Sequence, residues 1–416
     1  METRLRELMQ DLAEDMPSYG MPPASLQRRA HRRVGLTVAG SFLALTVLAL
    51  GAFGGIRALV RAQAPTPANT GPSAPPALLS GPIAFSRGGD GNARPLGAEQ
   101  VYLLAPDGSL TQLTRSPDGN NGPESWSPDG SELVVQRNLD DGTQDLFLIH
   151  LDGSPESRLT DDPEWDGFSQ FSPDGSMIAF EKGDTLGIHV MNPDGTGVRQ
   201  LVDRAGSGSS QAFSWSPDGT RIVFEQASGI STSGRATYDD DIYVVNVDGS
   251  GVTRLTEGDH STCMHGVGGI WCDRYESPAW SPDDSKIAFV GITLRPRDKQ
   301  RPEDIELFVM DSDGSGITQL TGSPGALTRC YSPAWSPDGS RIAVNCDAGV
   351  FSMKPDGTGV TRLAPQGWYG SSWSPDGTEV GLTKDHQFYL VNADGTGLAR
   401  VADSSDREWG LPLWRP

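Results

Sequence analysis

Two cysteines and two histidines lie close together in the chain, and residues of these types either bind a metal or form a disulfide. They are His260, Cys263, His265 and Cys272. Thiolates and imidazoles are zinc ligands, but their spacing here matches no standard zinc pattern. Disulfides persist in exported domains, and an apolar segment at residues 34–56 indicates export. We therefore expect a disulfide between Cys263 and Cys272 and no metal site.

The two remaining cysteines are placed symmetrically about a turn. Cys330 and Cys346 are each eight residues from Asp338, the centre of a Trp-Ser-Pro-Asp-Gly motif. In a hairpin about that motif the two residues lie nearly opposite each other, which predicts a cross-strand disulfide. Four cysteines allow three connectivities in all, and the sequence leaves the other two open.

The segment Arg295–Arg301 is basic, whereas the chain as a whole is acidic. It lies on one of several long insertions, and loops on a rigid scaffold often carry binding residues. Tolerated surface decoration is the alternative, since long insertions cost little. We interpret the insertions as a partner-binding surface. Its candidate residues are Arg235, Tyr238, His260, His265, Arg295, Arg297, Lys299 and Arg301.

The sequence offers no catalytic motif. It contains no Gly-x-Ser-x-Gly elbow, no His-Glu-x-x-His pair and no phosphate-binding loop. The Asp residues of the recurring Asp-Gly turns lack the alternating oxygen ligands of a calcium loop, so we assign them a turn role. We therefore predict no catalytic residue, no cofactor and no metal, and an enzyme remains the less favoured class.

These residues sit within a repeat that organises most of the chain. Its signature is Trp-Ser-Pro-Asp-Gly or a close variant, and self-similarity at this spacing is typical of repeat architectures. A degenerate copy, Trp414-Arg415-Pro416, ends the sequence. The six fuller copies are Trp126–Gly130, Phe171–Gly175, Trp215–Gly219, Trp280–Asp284, Trp335–Gly339 and Trp373–Gly377.

Each unit contains four short elements in a fixed order. An apolar run such as Ile178–Phe180 is followed by a second run such as Ile188–Met191, an Asp-Gly turn and a short stretch such as Arg158–Thr160. The aromatic Trp-x-Pro element closes the unit. Short β-branched runs bounded by Gly, Pro and Asp indicate strands, and Asp-Gly indicates hairpins. Seven such units predict an all-β, seven-bladed propeller of four-stranded antiparallel blades. The third stretch is weakest in units three and seven.

The order of the elements predicts how the ring closes. The first unit starts at Ile83 without a preceding Trp-x-Pro element, and Leu413–Pro416 follows the last unit. We expect this C-terminal strand to become the innermost strand of the first blade, beside residues 83–86. That pairing removes two exposed strand edges. The tryptophans, all in one register of the innermost strands, are expected to pack between blades.

The repeats of residues 83–416 resemble the WD-type repeats of the TolB-like propeller family. The resemblance implies a β-propeller. TolB, after which the family is named, is a soluble periplasmic protein with six blades and an N-terminal α/β domain. This chain departs from that pattern in its seven units and its apolar segment, so TolB's lipoprotein partnership is not carried over.

Charge excludes one class of partner. The chain has a formal net charge of −21, and residues 1–62 hold eight arginines and five acids, so the remainder carries −24. An acidic domain repels nucleic acid. Solubility of a large β-protein explains the charge, and we expect a monomeric domain.

The N-terminal part predicts a membrane anchor. Residues 34–56 are uncharged and long enough to span a bilayer. Arginines before this segment favour a cytoplasmic N-terminus at residues 1–33, and a cleaved signal peptide is the alternative. Residues 57–80 are rich in Pro and Ala and predict an extended spacer, followed by the propeller at residues 81–416. Residues 2–15 form a short apolar stripe at helical spacing, which is either a docking peptide or a marginal helix.

Together these features predict a single-pass bacterial membrane protein with an extracytoplasmic propeller. We name the Trp-x-Pro strand A, the apolar run that follows it B, the second run C and the short stretch after the Asp-Gly turn D. All long insertions then fall between B and C of one blade, or between D and the A strand of the next blade. In an up-and-down blade these connections emerge on one face, which we expect to bind a protein, a peptide or a cell-wall glycan and to point away from the membrane. The alternatives are a lyase or cyclase at the channel mouth, marked by perturbed acids there, and a transmembrane sensor that signals through the N-terminal segment.

Overall fold

The propeller is built from short strands bounded by Gly, Pro and Asp turns. The structure is a computed structural model of the 416-residue chain. It describes residues 79–88, 99–116, 121–139, 142–183, 187–203, 213–227, 237–238, 240–258, 264–266, 269–271, 273–294, 303–322, 327–385, 387–401 and 413–416.

Seven antiparallel sheets of four strands form the seven blades, as predicted. Within each blade we give the strands in spatial order from A, the innermost, to D. Blade 1 contains β31 (Leu413–Trp414), β1 (Ile83–Arg87), β2 (Gln100–Leu104) and β3 (Leu110–Gln112). Blade 2 contains β4 (Asn121–Trp126), β5 (Glu132–Asn138), β6 (Gln144–His150) and β7 (Ser157–Arg158). Blade 3 contains β8 (Asp166–Phe171), β9 (Ile178–Lys182), β10 (Gly187–Met191) and β11 (Arg199–Val202).

The remaining blades follow the same order. Blade 4 contains β12 (Phe213–Trp215), β13 (Arg221–Ala227), β15 (Asp240–Asn246) and β16 (Thr253–Arg254). Blade 5 contains β19 (Arg274–Trp280), β20 (Lys286–Leu294), β21 (Glu303–Asp311) and β22 (Thr318–Gln319). Blade 6 contains β23 (Tyr331–Trp335), β24 (Ile342–Cys346), β25 (Gly349–Met353) and β26 (Thr361–Pro365). Blade 7 contains β27 (Tyr369–Trp373), β28 (Glu379–Lys384), β29 (Gln387–Asn392) and β30 (Ala399–Arg400). Units three and seven, whose third stretch is weakest in sequence, therefore have a D strand as well.

The C-terminal strand closes the ring, which confirms the prediction. β31 pairs antiparallel with β1, with Trp414 opposite Ile83. The amide of Arg415 donates to the carbonyl of Pro82, and its Nε donates to the carbonyl of Gly130 on blade 2. The last residues of the chain therefore hold blade 1 together and also tie it to the next blade.

The tryptophans of the A strands form hydrogen bonds between blades. Each indole that takes part donates to the carbonyl of the residue just before the aromatic position of the preceding blade. Trp414 donates to Ser372 at 3.2 Å across the closure. The other four donations run from Trp126 to Leu413, Trp215 to Gln170, Trp335 to Ala279 and Trp373 to Ala334. These contacts confirm that the tryptophans join neighbouring blades. They do so through hydrogen bonds as well as through packing.

The recurring Ser-x-Asp turns are held by side-chain hydrogen bonds. In the A–B turn of blade 2, Asp129 Oδ1 accepts from Ser127 Oγ and from the amide of Ser131. These bonds lower the pKa of Asp129 to about 2. The same two contacts recur at Asp174, Asp218, Asp283, Asp338 and Asp376. The turn role assigned to these residues is confirmed.

The Arg/Gln-Leu-Thr stretch anchors the D strand through a buried acid or amide on strand C. In blade 4 the hydroxyl of Thr256 accepts from the amide of Ile242 at 2.9 Å and donates to Asp241 Oδ1 at 2.9 Å. The Arg254 guanidinium contacts the other oxygen of Asp241, whose side chain is fully buried. Blade 1 builds the same unit from neutral residues, with Gln100 in place of the acid and Gln112 in place of the arginine.

Two insertions meet above blades 4 and 5. β14 (Thr237–Tyr238) lies in the B–C connection of blade 4, whereas β17 (Met264–Gly266) and β18 (Gly269–Trp271) lie in the connection from blade 4 to blade 5. β14 pairs parallel with β18, and β18 pairs antiparallel with β17, forming a separate three-stranded sheet. A B–C insertion and a D–A insertion are therefore joined on one face.

The N-terminal segments lie outside this description. None of the residues that the structure describes belongs to a helix long and apolar enough to cross a bilayer. The anchor at residues 34–56, the cytoplasmic segment at residues 1–33 and most of the spacer at residues 57–80 lie outside the described residues. They stay predictions.

Candidate binding channel

The innermost strands of the seven blades enclose a central cavity of about 1220 Å³. Every blade contributes to its wall, from Leu413 of blade 1 to Trp373 of blade 7. The wall also includes the end of β24 and the start of the B–C connection of blade 6, at residues 345–347, and the connection from blade 6 to blade 7 at residues 366–368. The cavity is therefore continuous with the face on which the insertions emerge.

A bulge interrupts the A strand just before the repeated aromatic residue in five blades. The strand pairing shifts by one residue in β4, β8, β19, β23 and β27. Three non-glycine residues at equivalent bulge positions have a positive φ, namely Phe168 at 49°, Ser277 at 56° and Ser332 at 53°. Such conformations are costly for residues with a Cβ and occur preferentially at functional sites.

Carboxylates from neighbouring blades cap two of these bulges. The amide of Ser169 in blade 3 donates to Glu124 Oε2 of blade 2 at 2.8 Å. The amide of Ser277 in blade 5 donates to Glu225 Oε2 of blade 4 at 2.9 Å. Each bond satisfies an amide that the bulge removes from the strand ladder. Glu124 itself is the extra residue of the bulge in β4, and it lines the cavity.

Two acids on blades 2 and 3 hold their protons unusually tightly. Burial raises the pKa of Glu124 from 4.5 to about 7, and the negative charge of Glu181 adds to the rise, while the amide of Ser169 opposes it. Burial likewise raises the pKa of Asp166 to about 6, against the attraction of Lys182. Of these two acids, Glu124 is the one that lines the cavity.

Aromatic side chains line the part of the cavity formed by blades 6 and 7. Tyr331 and Trp368 belong to its wall, as does Tyr369, whose side chain is 64% exposed. The ring of Trp368 packs edge-on against Tyr389, with centroids 4.4 Å apart. The Lys384 ammonium lies 5.1 Å from the centre of the Trp368 ring. Trp368 is 9% exposed and already packed, so Tyr369 is the largely exposed ring among these that can contact apolar or cationic groups.

Comparison with known proteins agrees with this architecture. The TolB β-propeller domain family matches residues 97–229. An uncharacterized protein of Agrobacterium fabrum is 28% identical over 260 residues, which are 59% of this chain and 80% of that protein. A TolB homolog of Chlorobium luteolum is 28% identical over 235 residues, which are 56% of this chain and 46% of the homolog. Residues 97–229 therefore match a TolB-like β-propeller, and the chain is similar to TolB-like propeller proteins.

The match spans less than half of the TolB homolog's length, so TolB's own activity and partners are not carried over to this chain. Among solved structures, an oligogalacturonate lyase in complex with manganese superposes with a TM-score of 0.53 at 17% identity, covering 78% of this chain and 86% of the lyase. At this identity the likeness concerns the fold alone.

One predicted disulfide of the TolB-like propeller is confirmed. Cys330 and Cys346 are bonded, with their Cα atoms 4.1 Å apart. Cys346 lies in the cavity wall, so the bond fixes the B–C end of blade 6 against the start of its A strand. Cys263 and Cys272 lie outside the described residues.

Most of the predicted partner-binding residues lie on insertions that the structure does not describe. Tyr238 is on β14 and His265 is on β17, so the small sheet brings these two chain segments together. Their prediction as contact residues stays a prediction. The others that lie outside the described residues are Arg235, His260, Arg295, Arg297, Lys299 and Arg301.

Glu124 and Tyr369 of this TolB-like propeller were not predicted from its sequence. A signal for Glu124 exists in the repeat itself. When the blades are aligned on the repeated aromatic residue, the position two before it holds Glu in blade 2, whereas the other blades hold Ser, Phe or Pro there. A departure from a repeat at a channel-facing position indicates a function that the scaffold does not need.

The raised pKa of Glu124 predicts a specific pH dependence of stability. Between its unfolded value of 4.5 and its folded value of about 7, the folded protein holds a proton that the unfolded chain has released. Stability from this group is therefore complete below about pH 4.5 and is lost as the pH rises through 7. We expect Glu124→Gln to reduce the fall in melting temperature between pH 5 and pH 8.

The control for this experiment is Glu257→Gln, which makes the same change at an exposed position. It should leave the pH profile of the parent protein unchanged. The rise in the pKa of Glu124 from 4.5 to about 7 corresponds to at most about 3 kcal/mol of stability. Identical profiles for Glu124→Gln and the parent, measured by circular dichroism melting, would contradict the assignment.

Proposed function

We propose that this TolB-like propeller is a membrane-anchored binding protein of the bacterial cell envelope. It recognises an extracytoplasmic protein, peptide or glycan through the central cavity and the face that carries the B–C and D–A insertions. Residues 34–56 anchor it, with the N-terminus in the cytoplasm. The observation that carries this proposal is the cavity of about 1220 Å³, whose wall includes the connections of blade 6 on that face.

Three features of the cavity support recognition. It is large enough to bury most of a small ligand. Its wall combines aromatic rings with polar groups, among them the amide oxygen of Asn345, a buried atom without a hydrogen-bond partner among the described residues. The small sheet formed by β14, β17 and β18 adds surface next to blades 4 and 5.

Catalysis at the channel is the second candidate, and Glu124 is the observation that favours it. A carboxyl with a pKa of about 7 in a cavity is suited to transfer protons near neutral pH. The other strongly perturbed acid, Asp166, is fully buried and is not among the residues of the cavity wall. Among the residues that the structure describes, the cavity wall therefore presents one acid with a raised pKa and not the acid–base pair that a lyase needs, so we place binding first.

The two surfaces can be tested separately by partner capture. The full-length protein in detergent would be cross-linked to a cell-envelope extract and its partners identified by mass spectrometry. One variant replaces Arg295, Arg297, Lys299 and Arg301 with alanine, and a second carries Tyr369→Ala in the cavity wall. We expect at least one partner recovered by the parent to be reduced about tenfold in one of the variants, which is the effect of a loss of 1.4 kcal/mol.

The control is Asp107→Asn, an exposed position on the C–D turn of blade 1, at the opposite end of the strands. It should recover the same partners as the parent. Equal recovery of every partner by the parent and by both loop and cavity variants would rule out this face as the binding site.

A further inference from the structure

We propose that the channel binds its ligand through a positively charged amino group, with Glu124 as the counter-ion, and that the ligand is a peptide with a free α-amino group or a lysine side chain. This inference rests on the proposed binding function and names the ligand class for the same site.

The charged side chains of the cavity wall point to a cation. Glu124 and Asp347 are the two charged residues among the described residues that line it, and both are acids. The Arg329 guanidinium lies 3.7 Å from Asp347 and partly neutralises it at the blade 6 end. Glu124 has a backbone amide as its hydrogen-bond donor. The negative charge available to a ligand is therefore concentrated at Glu124.

Buried acids behind the wall strengthen the field at this point. Asp166, Glu181 and Glu225 are at most 1% exposed, and they lie on the A and B strands of blades 3 and 4. Lys182 lies 3.8 Å from Asp166 and offsets part of this charge. Charges of one sign behind low-dielectric walls focus their field into a cleft. Of these acids, Glu181 acts electrostatically on Glu124, and Glu225 bonds to the amide of Ser277 in the cavity wall.

The aromatic side of the channel also suits an amino ligand. Ammonium groups bind to the faces of aromatic rings, as the Lys384 ammonium does with the packed ring of Trp368. Tyr369 offers a largely exposed ring next to it. The bulged A strands place main-chain groups along the wall, where an extended peptide could bond to them.

The carboxylate at Glu124 distinguishes a peptide from a neutral glycan. Aromatic rings and amides bind sugars as readily as peptides. A neutral sugar, however, would displace water from the Glu124 carboxyl without supplying a charged partner, so the carboxyl would have to take up a proton to avoid the cost of a desolvated unpaired charge. An ammonium group supplies that partner and stabilises the ionised form. The geometry therefore favours the amino-bearing ligand.

The test uses the full-length protein in detergent and a library of random hexapeptides with free amines. The same library after acetylation of every amine is the matched probe, and chitotetraose is the neutral glycan probe. We expect retained peptides to be enriched in free amines, and acetylation to lower retention at least tenfold. Glu124→Gln should lower retention of the free library to a similar extent, whereas Asp107→Asn should not change it. Unchanged circular dichroism melting at pH 5 would show that Glu124→Gln is folded.

The outcomes separate this inference from the proposed function. Equal retention of free and acetylated peptides, or full retention by folded Glu124→Gln, overturns the amino-group inference. Retention of chitotetraose that is lost in Tyr369→Ala overturns it too, but leaves the channel as a binding site. Failure of the parent protein to retain any of the three probes overturns the inference, while the capture experiment with envelope extract still decides the proposed function.

Discussion

Replacing Trp414 with alanine is expected to lower the free energy of unfolding by about 3–5 kcal/mol, as for other buried tryptophans. The Trp414 side chain is 6% exposed and packs in a cluster with Leu79, Ile83 and Leu390, which joins blades 1 and 7. Its indole also donates to the carbonyl of Ser372 on blade 7. Urea unfolding followed by far-ultraviolet circular dichroism would measure the loss.

The matched control is Trp414→Phe, because the chain itself has Phe171 at the equivalent position of blade 3. Phenylalanine keeps most of the buried surface and loses one hydrogen bond, so a loss of only about 1 kcal/mol is expected. Removal of residues 413–416 should lower the free energy of unfolding more than either substitution does, since it exposes the edge of β1. A truncated protein as stable as the parent would mean that β31 does not close the ring.

The blade count and strand order were predictable because they repeat. Seven copies of one pattern remove the ambiguity of any single short strand. Because no Trp-x-Pro element precedes Ile83, the C-terminal element with Trp414 could be predicted to close the ring. The Cys330–Cys346 bond was predictable for a similar reason, since both residues belong to one hairpin. Local turn chemistry sets these features, and local turn chemistry can be read from sequence.

The channel was less predictable because it depends on contacts between blades. Glu124 and Ser169 are 45 residues apart and meet only when two blades pack side by side. The bulges that bring Ser277 and Ser332 into positive φ are not marked by glycine, the usual signal for that conformation. The pairing of β14 with β18 joins two insertions whose sequences carry no common pattern. These features belong to the tertiary structure and not to the repeat.

The buried Asp241 of blade 4 supports the second large prediction. Its carboxylate accepts from Thr256 Oγ1 and from the amide of Gly258, at 2.9 and 3.1 Å, and it pairs with Arg254. Asp241→Ala would remove the carboxylate that these three donors share. Because breaking a buried ion pair costs more than the pair contributes, and Arg254 is about one-third exposed, we expect a loss of about 3 kcal/mol in urea unfolding.

The protein supplies the control for this experiment in its own first blade. There Gln100 accepts from Thr114 Oγ1 and from the amide of Ser116, and Gln112 donates to the carbonyl of Thr114. The double variant Asp241→Gln with Arg254→Gln copies this neutral arrangement into blade 4. Its free energy of unfolding should lie within about 1 kcal/mol of that of the parent, since replacing both partners of a buried pair is far less costly than removing one. If the double variant were as unstable as Asp241→Ala, the charge of Asp241 itself, and not its hydrogen bonding, would be what holds the D strand of this blade in place.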